Sequence, residues 1–112
     1  MKIYSLSLDM VAAVHEDVMP MLSAHDSELA EQLHRAVRSV ALNVSEALGL
    51  LAGKRQRNHF QIALGSARES TACIELGLAT KALPKNARVD RALDRLDHIC
   101  AILWKLTRRR AA

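Results

Sequence analysis

The chain has 112 residues, half of them hydrophobic but only three aromatic, and a formal net charge of +4. That length suits one domain, residues 1–112, with one continuous core. Four Gly and two Pro are too few for a loop-rich or disordered chain, and two cysteines without a C-x-x-C give no zinc-knuckle or thioredoxin pattern.

A core of Leu, Val, Ile, Ala and Met favours helix packing on helix over a sheet, which draws on β-branched and aromatic residues. The first helix is expected from about Ser7 to Ser23, with Leu8, Val11, Val14, His15, Val18 and Leu22 as its stripe. Pro20 removes a ladder donor and should kink or shorten it. Asp26 or Ser27 caps the second helix, which runs to Leu48 with Leu29, Leu33, Ala36, Val37, Val40, Val44 and Leu48 on one face. It ends near Gly49.

Residues 50–53 make a short connection. The third helix starts near Lys54, carries Phe60, Ala63, Leu64, Ala67, Thr71, Ile74 and Leu78, and stops before Pro84. Asn86 caps the fourth, whose core face is Val89, Leu93, Leu96, Cys100 and Leu103. Short connections favour antiparallel neighbours. The expected fold is all-α, an antiparallel up-down-up-down four-helix bundle.

Two helices carry more apolar surface than a bundle needs. Ile99, Ile102 and Leu106 lie off the core face of the fourth helix. Ile62, Gly65, Ala72 and Leu76 form a second stripe on the third. Surplus stripes of this size point to self-association. Cys73 and Cys100 are expected as buried free thiols.

The centre of the chain carries Gln32, Leu33, Arg35, Ala36, Asn43, Val44, Glu46, Gly49, Phe60, Ala63, Gly65, Ser66 and Glu69. In these residues it resembles the bacterial four-helix-bundle family that includes proteins encoded in 23S ribosomal RNA intervening sequences. His34 and Ala47 stand where the family has an arginine and a glycine. The family is similar to the accessory variability proteins of diversity-generating retroelements. That similarity implies a homopentamer that is basic and binds nucleic acid and a reverse transcriptase. No activity comes with it.

The residues themselves give no reaction centre. Asn43, Glu46 and Ser39 share one side of the second helix, and Glu69 sits beside Gly65 and Ala72 on the third. Paired carboxylates could do acid–base chemistry only if they converged. The reading adopted is structural: Arg35, Asn43, Glu46, Gly65, Ser66, Glu69, Ile99, Ile102 and Leu106 hold helices or subunits in register, with Arg35 or Arg38 as the partner of Glu69. His98 and Asp94 have i,i+4 spacing, read as a solvated pair rather than a metal site. No enzyme activity, cofactor or metal is expected, and no Walker, Rossmann or nucleophile-elbow motif occurs.

Charge is unevenly spread. Residues 1–53 hold three basic and seven acidic side chains, whereas residues 54–112 hold thirteen and five. Two clusters stand out: Lys54, Arg55 and Arg57 at the start of the third helix, and Lys105, Arg108, Arg109 and Arg110 at the end of the fourth. Simple alternation brings both to one end of the bundle. Such a patch suits a phosphate backbone, RNA more than DNA, and a pentamer would repeat it five times. With three aromatics, base stacking is not expected to be the main mode. A protein partner such as a reverse transcriptase is the alternative. No apolar run approaches a membrane span and no signal-peptide pattern opens the chain, so a cytoplasmic location without membrane contact is expected.

Overall fold

The computed structural model describes residues 2–108, so Arg109 and Arg110 lie outside the described residues. The described chain is all-α. It forms five helices: α1 (Lys2–Asp17), α2 (Met19–His25), α3 (Ser27–Leu48), α4 (Lys54–Ala79) and α5 (Ala87–Arg108).

The expected first helix is two helices, and the cause is Pro20. It sits in the first turn of α2, where a missing N–H costs least. The N–H it lacks would have bonded Glu16 O, which interrupts the ladder, although Val18 N still donates to Val14 O at 3.1 Å and Leu22 N to Val18 O at 3.0 Å. The helix also begins earlier than expected, at Lys2, and its buried stripe is Ile3, Ser7, Met10, Ala13, Val14. Leu8 and His15 face outward instead. Ser7 is fully buried because its hydroxyl donates back to Ile3 O at 2.7 Å.

Local signals set the other ends. Asp26 terminates α2 and caps α3, its Oδ1 accepting from Leu29 N at 3.1 Å. Gly53, before α4, has φ +149°, a conformation side chains rarely adopt. Asn86 caps α5 through a bond from Val89 N at 2.9 Å. After α4 the chain turns through Lys81 at φ 65°, and Leu83 N returns to Gly77 O at 3.0 Å. A Cβ on Gly77 would stand 2.8 Å from Leu83 Cδ1, so the missing side chain is what lets this turn close.

The core is built from the stripes of all five helices, with Leu22, Leu33, Val40, Ile74, Leu96 and Leu103 fully buried. α3 packs on α4, α4 on α5, and α1 touches both α3 and α5, while α2 lies on α3. α5 is rotated from the expected setting. Ile99 is 1% exposed and belongs to the core of its own chain, and Cys100 is only half-buried. Apolar residues surround this part of α5, so periodicity alone allowed either phase; packing on α1 and α4 selected Ile99. Ile102 and Leu106 are half-buried against the same core, leaving little of the expected stripe outside.

Candidate nucleic-acid interface

α4 presents two flanks of different chemistry. Along the α3 flank runs a seam of polar pairs. Gln32 Nε2 donates to Glu69 Oε2 at 3.4 Å, Ser39 and Ser66 share a hydroxyl hydrogen bond at 2.7 Å, and His59 Nδ1 donates to Asn43 Oδ1 at 3.1 Å. Asn43 Nδ2 in turn donates to Ser39 O and Oγ at 2.9 and 3.1 Å. Further along, Gln56 Nε2 bridges Ala47 O and Leu50 O at 3.1 and 3.2 Å, which ties the 49–53 loop to α4. Residue numbers rise on α3 as they fall on α4, so the two helices run antiparallel.

This seam gathers Gln32, Asn43, Ser66 and Glu69 from the signature residues. It corrects one pairing. Glu69 is exposed and meets Gln32, not an arginine. Arg35 pairs with Glu31 at 3.3 Å on its own helix, and Arg38 donates to His34 Nε2 at 3.2 Å. Both arginines lie on the outer side of α3, one turn apart, and the i+4 neighbour is the nearer partner. Glu46 is exposed. His59 and Gln56 were not singled out in the sequence; their spacing on the α3 side of α4 was the available signal. A Cβ on Gly65 would meet nothing within 4 Å, so no helix of the described chain approaches there.

The opposite flank faces α5. Arg57, Gln61 and Arg68 follow one another at helical spacing, at i, i+4 and i+11. Cys100, Trp104 and Arg108 do so on α5. Burial pushes the Cys100 thiol above its ordinary range, and the Arg68 guanidinium opposes that shift from α4. Arg68 therefore faces the Cys100 level of α5. Burial raises the Cys73 thiol as well, with the Glu69 carboxylate adding to it. The Arg108 guanidinium lies over the Trp104 ring, 4.4 Å from its centroid.

Lys54, Arg55, Lys105 and Arg108 are exposed and Arg57 is half-buried. Among the described residues none of these five makes an ion pair; the ion pairs are Arg35–Glu31 and Lys85–Asp90. Arg55 and Arg57 point to different flanks, about 160° apart around α4. Tight convergence of acids, thiols and histidines is not seen: among the described residues no three His, Cys, Asp or Glu could hold a metal ion. No helix among them is long and apolar enough to cross a membrane. A cavity of ≈ 600 Å³ lies at the other end of α4, lined by Met21, His25, Lys81, Leu83, Pro84 and Lys85 among others.

Fold and surface together define an all-α protein whose distinguishing chemistry lies on the faces of its helices. The family model for the 23S rRNA-intervening sequence protein matches residues 1–105, and the chain belongs to that family. A solved structure from Bacteroides thetaiotaomicron, a protein of unknown function from the S23 ribosomal protein family, has the same fold: TM-score 0.83 at 19% identity, over 96% of this chain and 99% of that one. No curated protein matches the sequence.

Proposed function

We propose that the chain is a non-enzymatic RNA-binding protein that works as a homo-oligomer, a pentamer, and presents one basic end to phosphate. The observation that carries this reading is the set of cations at the α4 start and the α5 end, none ion-paired among the described residues. Helix directions support their gathering. Arg57 lies about 17 Å along α4 from Arg68, and Arg108 about 12 Å along α5 from Cys100, at 1.5 Å per residue. With Arg68 facing Cys100 and a short turn joining antiparallel helices, both distances run toward one end. The ring of neighbours α1–α3–α4–α5 supports an antiparallel four-helix bundle in which α1 and α2 together form one kinked arm.

Of the two surplus stripes expected from the sequence, the assembly reading keeps the one on α4. Ile62 and Leu76 on α4 are 51% and 52% exposed, beside exposed Gly65 and Ala72. This stripe, rather than Ile99, supports contact between copies. Ile62→Glu is expected to dissociate the oligomer while the chain stays folded, as read by light scattering; a wild-type monomer at micromolar concentration would remove the assembly claim.

The binding test is an anisotropy titration with unrelated RNA and DNA oligomers at two salt concentrations. Arg55→Glu combined with Arg57→Glu should weaken all sequences about equally, because phosphate contacts carry no sequence information. The salt dependence should flatten by about one unit of slope per lost phosphate contact. Unchanged affinity, or no wild-type binding at low salt, would replace this reading with docking on a protein partner such as a reverse transcriptase or another nucleic-acid enzyme.

A further inference from the structure

Tryptophan is the largest apolar side chain and is usually well covered. The sole tryptophan here, Trp104, is 45% exposed. It lies one turn from the end of α5, four residues beyond Cys100 and so on the same side of that helix, and α5 packs on α4. Arg108 covers the ring at 4.4 Å, which orients the indole and leaves the exposed part for a second planar group. α4, on which α5 packs, carries Arg57, Gln61 and Arg68 at helical spacing. The nearest acid along this flank of α5 is Asp97, two turns away from Trp104 toward the middle of the helix.

We propose that the α4–α5 groove at the basic end takes unpaired nucleotides, one base stacking on Trp104 while Arg57, Arg68 and Arg108 hold the adjoining phosphates. The inference rests on the RNA-binding reading and narrows its ligand to single strands or flipped-out bases. The chemistry fits that class. A base in a duplex has both faces occupied by neighbours and cannot reach an indole; an unpaired base has a free face. Stacking on an aromatic is tolerant of sequence because every base has a π-face, and flanking guanidinium groups add charge attraction to the backbone. Few aromatics in a sequence argue against an extended stacking track. One exposed aromatic framed by arginines makes a single stacking position instead.

Because Trp104 is the only tryptophan, its emission reports on this groove alone. Full-length protein would be titrated at low salt with a uridine dodecamer and, separately, with an RNA duplex of the same length, following Trp104 emission and oligomer anisotropy together. The single strand is expected to quench Trp104, and the duplex to bind with its emission unchanged. Trp104→Leu should weaken the single strand about tenfold and leave duplex affinity in place. Trp104→Phe, which keeps a ring and serves as the control for folding, should retain most of the single-strand affinity. Binding of the dodecamer with unchanged Trp104 emission, or equal losses for both forms in Trp104→Leu, would overturn the stacking inference while leaving phosphate binding intact. Absence of binding to either form would overturn both.

Discussion

The two flanks of α4 use polar side chains in opposite ways. On the α3 side, Ser39, Asn43, His59 and Ser66 are half-buried and satisfy one another. On the other side, Arg57 and Arg68 of α4 and Arg108 of α5 make no ion pair among the described residues. A closed set of hydrogen bonds fixes register and has nothing left for a ligand. An open set of cations adds little to folding and leaves its donors for a partner. The two flanks of one helix thus separate polar groups that satisfy one another from polar groups left without an ion-pair partner, which residue type alone could not do.

The largest effect should come from breaking the seam. Asn43→Leu removes the acceptor of His59 and a donor to Ser39, leaving half-buried polar groups without partners at a cost of about 1–3 kcal/mol. A melting temperature lower by several degrees, with RNA affinity per folded chain unchanged, would sharpen the contrast. An unchanged melting temperature would mean that water replaces the seam. Next in size is the converse experiment. Arg57→Glu with Arg68→Glu should lower RNA affinity by about tenfold, roughly 1.4 kcal/mol, with little change in melting temperature. If the double variant melts much earlier, the groove is structural after all.

A smaller effect concerns the thiols. Both cysteines are raised from their ordinary value of 9.0, chiefly by burial. The unfolded chain therefore loses these protons first. The stabilisation is fully present below pH 9 and fades as pH climbs through the raised folded values. Arg68 holds Cys100 down, so Arg68→Ala should raise it further and slow iodoacetamide labelling of Cys100 at pH 8, with Cys73 as the unaffected reference. Faster labelling would show that the arginine shields the thiol sterically. The smallest effect is expected from Glu69→Gln. The carboxylate is exposed and its bond from Gln32 is long at 3.4 Å, so its loss within one chain should cost under about 0.5 kcal/mol. A change in oligomer mass would instead give Glu69 a partner on a neighbouring copy.

Much of this molecule was legible residue by residue. Asp26, Gly53, Pro20 and Asn86 act through their own backbone and side-chain geometry, so they marked caps and breaks without knowledge of the fold. The stripe of α3 was equally clear, because its apolar residues occupy one side and its charges the other. Two stripes were misread for one reason. Around α1 and α5 apolar residues fill more than one face, so Met10 competes with Leu8 from a direction about 160° away, and Ile99 with Cys100 from about 100° away. Only contact with α3, α4 and the other arm decides which side is inside. The same holds for the site. Basic residues near 54–57 and 105–110 were visible as clusters, but a cluster in sequence has no direction. Arg55 and Arg57 diverge around α4, and Arg68 lies outside either cluster. Local sequence determined the breaks at Pro20, Asp26, Gly53 and Asn86, because capping and proline act over one turn; the tertiary structure decided which faces meet, because burial is a property of the neighbours a face finds.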